Sequence, residues 1–454
     1  MGMKPDLILK SRRVVLPGGT VPAAISVRNG IITAIGPWNG APRERSEVDA
    51  GEAVVMPGLV DTHVHVNEPG RTEWEGFETA TRAAAAGGVT TIIDMPLNSI
   101  PPTTTLAGLA AKAKVAEGRC HVDYGFWGGV VPGNAGELEP LLDAGVLGFK
   151  AFLVPSGVDE FPDVSADDLA EAMPILAGRG VPLLVHAECP GQIRPFRSSA
   201  TRSEPLRRYA DYLASRPAVA EEEAVRAMID RCGRFGGPVH IVHVSSAGTI
   251  GLLENARSSG LPLTTETCPH YLVFAAEEMA AGETLFKCAP PIRERTHAEA
   301  LWEGLQEGVI DMVVSDHSPC PPAMKRLEQG DFAGAWGGIA SLGLGLSAVW
   351  TGVDPRGVSM ESVSRWMCAA PARLAGLADR KGTIEIGKDA DFVVWEPDLA
   401  FEVAPARLHD RHRLTPYEGR TLRGVVRQTY VRGRLVYDNG SFTASAEGRW
   451  LRSG

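Results

Sequence analysis

The sequence predicts an α/β protein: a (β/α)8 barrel of the TIM type with a small β-sandwich built from both chain ends. Two observations lead to this prediction. Eight short apolar runs alternate with helical stretches through the middle of the 454-residue chain, and both chain ends alternate apolar and polar residues in short segments. Strands separated by helices form parallel sheets, and eight such units are the number that closes a barrel.

The two chain ends are predicted to form one composite domain from residues 1–55 and 376–454, and the barrel to occupy residues 56–375. Near the start of the chain, Asn29–Gly30 separates two apolar segments, which is a strong hairpin signal. Near the end, Arg432–Gly433 marks a second turn between strand-like segments. Neither end alone has enough strands for a stable sheet, so we expect the two ends to pair with each other.

The barrel strands are expected in the eight apolar runs. Between the first two runs, Thr72–Ala86 is predicted to be a helix that stops at Gly87–Gly88. An open doubly wound sheet is the alternative arrangement, but the sequence has no glycine-rich phosphate loop to support it. In chain order, the runs begin at Val54, Val89, Val122, Val146, Val181, Pro238, Pro262 and Ile310.

Composition and charge exclude several classes of function. The net charge is −10, whereas a nucleic-acid-binding surface would be basic. No apolar run reaches the roughly 20 residues that cross a bilayer, and the first residues lack the features of a secretion signal. The seven cysteines follow no framework spacing, which predicts reduced thiols and a cytoplasmic protein. We therefore expect no nucleic-acid or membrane partner.

Side chains that can bind metal fall at the ends of several predicted strands. The carboxyl ends of all strands in a barrel meet on one face, where such side chains would share a cavity. In a strand, residues i and i+2 point to the same side, so the two histidines of an HxH pair can reach one ion. Imidazole suits zinc and similar transition metals. The six candidates are His63, His65, Lys150, His186, His243 and Asp316.

Each candidate has a commoner explanation when it is considered alone. A single buried histidine is usually a core residue, a lysine usually reaches solvent, and Asp316 could cap a helix. The joint pattern favours a metal site. Lys150 is the exception in it, because an ammonium repels metal ions. A lysine that has reacted with CO2 becomes a carbamate, whose two oxygens could bridge two cations, so carboxylation would turn Lys150 into a ligand.

The chain resembles the cyclic amidohydrolases of the amidohydrolase superfamily over essentially its full length, and most closely the allantoinase branch. The HxH and SDHSP segments are general to the cyclic amidohydrolases, whereas EPGRxxWEG, MPLN and SDHSPCPPxMK look specific to that branch. The segments include MPGLVDTHVH (Met56–His65), EPGRTEWEG (Glu68–Gly76), GFKAF (Gly148–Phe152), VHAE (Val185–Glu188) and SDHSPCPPAMK (Ser315–Lys325).

The resemblance implies a cofactor and a mechanism. One divalent ion would be held by His63, His65, Asp316 and a carboxylated Lys150 (N6-carboxylysine), and a second by His186, His243 and the other carbamate oxygen. Zinc is expected, although iron, cobalt or manganese would accept the same ligands. A hydroxide activated by both ions would open the hydantoin ring of allantoin to allantoate, a step of purine degradation, with Asp316 as the catalytic base and then acid.

The resemblance also implies substrate contacts and a homotetramer. Relatives bind the imide edge of the ring largely through backbone groups, and the matching substrate-binding positions are Asn98, Ala289, Trp336 and Gly337. A hydantoinase or dihydropyrimidinase is the alternative, but those enzymes carry a tyrosine five residues after the lysine, where this chain has Pro155. Asn67 occupies the place of the arginine that dihydroorotases use on their substrate. A non-catalytic scaffold would lack ligands that are all present here.

Overall fold

The computed structural model describes residues 5–39, 47–194, 204–443 and 445–453. The first described segment forms a run of antiparallel strands. Asn29 and Gly30 both have positive φ, 53° and 78°, as a two-residue hairpin turn requires. The predicted hairpin is therefore confirmed. The N-terminal strands are β1 (Leu7–Leu16), β2 (Gly19–Arg28), β3 (Ile31–Pro37), β4 (Glu47–Asp49) and β5 (Val54–Pro57).

The middle of the chain forms the parallel strands of the barrel. All pairings among them are parallel, and Val64 bridges His317, which brings the end of the series back to its beginning. These strands are β6 (Leu59–Val64), β7 (Val89–Asp94), β8 (Asp123–Phe126), β9 (Gly128–Gly129), β10 (Phe149–Phe152), β11 (Leu183–His186), β12 (Val239–Ile241), β13 (Leu263–Thr267) and β14 (Met312–Val313). Each of the eight predicted runs contains a barrel strand.

The first apolar run differs from its prediction because it serves two sheets. Its first half is β5, which pairs with the N-terminal strands, and its second half is β6, which begins the barrel. Gly58 lies between them, and a Cβ there would lie 2.2 Å from Thr90 Oγ1. A side chain cannot fit at this crossing, so the chain passes from one sheet to the other through glycine.

The C-terminal strands complete the sheet that the N-terminal strands begin. They are β15 (Phe392–Glu402), β16 (Thr421–Val431), β17 (Arg434–Asp438) and β18 (Ser441–Phe442). The resulting nine-stranded sheet has the order β18-β17-β16-β15-β5-β1-β2-β3, with β4 also paired to β1. Because β5 pairs with both β1 and β15, the two chain ends share one sheet, as predicted. The exact division into residues 1–55 with 376–454 and residues 56–375 stays a prediction.

The helices pack around the parallel strands, and none that the structure describes has the length and apolar character to cross a membrane. The prediction for the first helix was too long, because that helix begins at Phe77 and not at Thr72. Gly76 precedes it with φ 110°, and Phe77 N donates to Glu68 Oε2 at 2.9 Å. The helices are α1 (Phe77–Ala86), α2 (Leu106–Ala116), α3 (Leu138–Asp143), α4 (Ala166–Arg179), α5 (Tyr209–Ser215), α6 (Ala218–Phe235), α7 (Ile250–Ser258), α8 (Pro269–Val273), α9 (Arg295–Glu307), α10 (Gly345–Val353), α11 (Met360–Ser364) and α12 (Ala370–Leu374).

A buried charge cluster joins the barrel to the terminal sheet. The Lys381 ammonium lies 2.7 Å from Asp123 at the start of β8, 3.0 Å from Asp389 and 2.6 Å from Asp391 just before β15. Arg432 also pairs with Asp123. The Lys381 side chain is 1% exposed, so these charges depend on one another for neutralisation.

Candidate metal centre and active site

The six predicted metal-binding residues line or adjoin one cavity of about 590 Å³ at the carboxyl ends of the barrel strands. In a first group, Asp316 Oδ1 lies 3.2 Å from His63 Nε2 and 3.4 Å from His65 Nε2. Ligand atoms of these three residues lie within 4.8 Å of one another. This spacing suits a metal ion.

His186 and His243 form a second group. His186 Nδ1 and His243 Nε2 face each other at 2.9 Å, so two imidazole nitrogens converge on one point. Lys150 lies within electrostatic range of His65, His186 and His243. Its ammonium is completely buried and has no hydrogen-bond partner in the part of the chain that the structure describes. A buried amine of this kind is costly unless it binds or is modified, and the donor set fits two cations that share residue 150.

Two buried carboxylates orient the histidines. Glu266 Oε1 accepts from His63 Nδ1 at 2.5 Å, which leaves His63 Nε2 free to face Asp316. Glu188 Oε2 lies 2.7 Å from His186 Nε2, which leaves Nδ1 to face His243, and Glu188 also pairs with Arg216. Neither Glu188 nor Glu266 belongs to the six residues predicted from the sequence. A glutamate inside a buried strand, such as Glu266 in β13, is the sequence feature that could have indicated a partner for a metal-binding histidine.

Electrostatics keep the histidines in the form that binds metal. Burial lowers the pKa of His65 to about 4 and also lowers the pKa values of His186 and His243, so these imidazoles are neutral and offer lone pairs. Burial lowers the pKa of Lys150 to about 7. Burial alone would raise the pKa of Asp316, but His63 and His65 outweigh it and hold the pKa well below its usual value.

The backbone that presents these residues departs from regular strand geometry in ways the sequence did not reveal. His63 and His186 lie in β6 and β11, and Lys150 lies in β10 within the fourth predicted run, as its second residue. His243 and Asp316 follow their strands with φ values of 41° and 43°. Such positive values are strained for these residue types and are often found at functional sites.

The four predicted substrate-binding residues line the same cavity: Asn98, Ala289, Trp336 and Gly337. Asn98 Nδ2 lies 3.4 Å from His65 Nδ1, beside the first metal-binding group. A Cβ placed on Gly337 would lie 3.9 Å from Ala289 N, so these two backbone segments are adjacent. Pro155, Arg216 and Lys287 also line the cavity, and the sequence analysis gave no role to Arg216 or Lys287.

Cys268 and His270 lie close to Asp316; from the sequence, Cys268 is expected to be a small buried apolar group, and His270 either a hydrogen-bond partner or a packing residue. Ligand atoms of these three buried residues also lie within 4.8 Å of one another. Both ring nitrogens of His270 lack a partner among the residues described. His317, which follows Asp316, has its Nε2 3.4 Å from Glu75 Oε2. These residues therefore border the candidate centre and contribute to its environment.

Comparisons with known proteins agree with this architecture. Residues 54–436 match the amidohydrolase family. An allantoinase of Streptomyces avermitilis is 51% identical over 98% of both chains, and an allantoinase of Arabidopsis thaliana is 45% identical over 97% of this chain and 90% of that one. The solved structure of an L-hydantoinase (dihydropyrimidinase) from Arthrobacter aurescens is 32% identical, with a TM-score of 0.91 over 99% of this chain and all of that chain. The predicted fold class is confirmed, and the chain belongs to the amidohydrolase family and, within it, to the allantoinases.

Proposed function

We propose that this protein hydrolyses one ring amide of allantoin and releases allantoate, as a step of purine degradation. The observation that carries the proposal is the convergence of four histidines and Asp316 on one cavity, with buried Lys150 close to three of those histidines, in a chain that belongs to the allantoinases. The cavity, at about 590 Å³, has room for a hydantoin ring with its ureido arm.

Two divalent ions fit the donor set, in keeping with the binuclear centres of the amidohydrolase family. His63, His65 and Asp316 would hold one ion, and His186 with His243 would hold the other. Carboxylated Lys150 would supply an oxygen to each ion, which removes the buried positive charge between them. We propose zinc as the metal, because imidazole and carboxylate ligands suit it, with iron, cobalt or manganese as alternatives.

The chemistry that such ions supply when bound is a lowered pKa for water and a polarised carbonyl group. Asp316 has a carboxylate at the cavity wall whose pKa is held low, so it is ionised and can accept the proton of the attacking water. The same carboxyl group can then return the proton to the ring nitrogen as the amide bond breaks. Glu266 and Glu188 hold the imidazoles of His63 and His186 in fixed orientations during these steps.

Substrate choice is the part of the proposal that experiment decides most directly. A hydantoinase activity is the second candidate, because the hydantoinase structure superimposes closely on this chain. Steady-state rates of metal-reconstituted protein on allantoin, hydantoin, dihydrouracil and dihydroorotate separate the candidates. We expect the highest kcat/KM for allantoin. A higher kcat/KM for dihydrouracil or hydantoin would reject the allantoinase assignment.

The assembly is proposed to be a homotetramer, as the resemblance to the cyclic amidohydrolases implies. Light scattering on the protein after size exclusion measures its mass directly. Four times the chain mass of 48.3 kDa is expected, and a monomeric mass would reject the proposal.

A further inference from the structure

Lys325 is a buried lysine that forms no ion pair with any residue the structure describes. It ends the segment SDHSPCPPAMK, which is among the most specific parts of the chain's resemblance to the allantoinases. The residue is 4% exposed, and the titratable groups near it are the thiols of Cys288 and Cys320, whose pKa values burial raises, and the amine of Lys287. Burying an ammonium in this way is unfavourable, so a specific use of its donors is expected.

The donors of Lys325 go to the backbone of the segment Ala335–Gly338, which lines the active-site cavity. Lys325 Nζ donates to Trp336 O at 3.3 Å and also to Gly338 O. Lys287 Nζ donates to Ala335 O at 2.5 Å, so two ammonium groups bind three carbonyls of four residues. Lys287 lines the cavity, whereas Lys325 does not, so Lys325 holds its two carbonyls from outside the cavity lining.

Peptide geometry then fixes what Gly337 presents. The cis peptide bonds of the described residues lie elsewhere, so the peptides on both sides of Gly337 are trans. In a trans peptide, the C=O and the following N–H point in opposite directions. Because the Trp336 carbonyl binds Lys325, the Gly337 N–H points away from Lys325. Because Gly338 N donates to Lys287 O at 2.8 Å, the Gly337 carbonyl points away from Lys287 O.

Gly337 is left with a donor and an acceptor on adjacent peptides, and neither has a partner among the residues that the structure describes. The residue lines the cavity and has no side chain to cover these groups. An N–H beside a C=O is the complement of the imide edge of a hydantoin ring, which also offers one N–H and one C=O. Polar backbone groups that line a cavity without a partner in the protein favour a ligand that pairs with them.

We propose that Lys325 is a positioning residue, which holds the Trp336–Gly338 backbone so that the Gly337 N–H and C=O face the imide edge of the substrate. This inference rests on the proposed function for the identity of the ring, but it concerns binding and not the chemical step. Lys325 touches neither the predicted metal ligands nor the cavity itself. Its loss should therefore weaken recognition of the ring and leave binding at the metal-binding groups unchanged.

Two probes that bind at opposite parts of the cavity test the proposal in metal-loaded protein by calorimetry. 5,5-Dimethylhydantoin carries the imide edge, and acetohydroxamate is a small chelator directed at the metal ions. In Lys325→Met, we expect the Kd of the hydantoin to rise about tenfold, the size of one lost oriented hydrogen-bond pair. The Kd of acetohydroxamate should stay within about twofold. Unchanged Kd values for both probes, or equal rises for both, would overturn the proposal.

A control variant separates positioning from a general effect of removing a buried lysine. Lys381→Met removes an ammonium that is equally buried but lies between the barrel and the terminal sheet. It should lower the melting temperature and leave the ratio of the two Kd values as in the unsubstituted protein. If Lys325→Met does not fold, Lys325→Gln takes its place, since its side chain is one atom shorter and should raise the same ratio about threefold. An unchanged ratio in folded Lys325→Gln would contradict the proposal.

The two proposals can fail separately. The first possible outcome is that the unsubstituted protein turns over dihydrouracil better than allantoin, while Lys325→Met loses hydantoin binding selectively. This outcome would reject the allantoinase assignment and support the role of Lys325. Normal hydantoin binding in Lys325→Met, in a protein that turns over allantoin well, would reject only the role of Lys325.

Discussion

Glu266 offers a test of how the barrel prepares His63 to bind metal. Its two carboxylate oxygens accept from His63 Nδ1 at 2.5 Å and His240 Nε2 at 2.9 Å, and Oε1 also lies 3.3 Å from His243 N. The side chain is completely buried. Glu266→Gln removes the negative charge but keeps an oxygen that can hold His63 and an amide that can donate to His240. The variant should therefore fold.

The expected cost follows from these contacts. Loss of a carboxylate partner from a metal-binding histidine typically weakens metal affinity about 10–100-fold. Glu266 contacts the imidazole of His63 but only the backbone N–H of His243, so the ion at the His63 position should bind more weakly and the other ion nearly as before. Glu266→Ala should behave differently. It leaves His63 Nδ1 and His240 Nε2 without partners, and two such losses cost about 2–6 kcal/mol of folding free energy.

Metal is added to the metal-free protein in competition with a chelator of known affinity, which measures the affinity of each of the two metal positions. Glu361→Gln is the matched control, since Glu361 accepts from Thr20 at 2.7 Å far from the cavity. Its two metal affinities should equal those of the unsubstituted protein. If Glu266→Gln binds both ions with unchanged affinity and turns over allantoin at the normal rate, then Glu266 does not prepare His63 and the reasoning is refuted.

Two further substitutions test the bridge and the domain junction. Lys150→Ala should lose both metal ions and nearly all allantoin turnover. Short carboxylic acids with bicarbonate should partly restore metal binding and turnover, because they can occupy the space of the carbamate. Near-normal metal content and activity in the variant would contradict the carbamate hypothesis. Lys381→Met should lower the free energy of unfolding by about 3–5 kcal/mol in chemical denaturation, because it leaves Asp123, Asp389 and Asp391 buried without their shared cation; a change below about 1 kcal/mol would show that the cluster is not needed for stability.

Much of the fold could be predicted because its signals are local. Asn29–Gly30 specifies its hairpin through two residues that accept positive φ. Runs such as Val89–Asp94 are rich in β-branched residues and lack a regular apolar-polar alternation, because both faces of a barrel strand are buried. The start of the first helix was not predictable in the same way. It depends on the Glu68 carboxylate reaching the N–H of Phe77, a contact that the spacing of apolar residues does not encode.

In the candidate site too, features with a local sequence signal could be predicted, and features that depend on distant contacts could not. The convergence of His63, His65 and His186 on one cavity could be predicted because residues at the carboxyl ends of barrel strands meet on one face. Glu266 and Lys325 could not, because their roles depend on partners far away in the chain: Glu266 binds His63, and Lys325 binds the backbone of Trp336 and Gly338. Only the tertiary structure brings these groups together.

The measurement that tests the central claim most directly is allantoin turnover by metal-free protein as zinc is added in the presence of bicarbonate. The site predicts that turnover rises with added metal and reaches its plateau at about two ions per chain, since the six converging residues provide ligands for two ions that share Lys150. Full turnover without metal, a plateau at one ion per chain, or no turnover of allantoin at any metal content would contradict it.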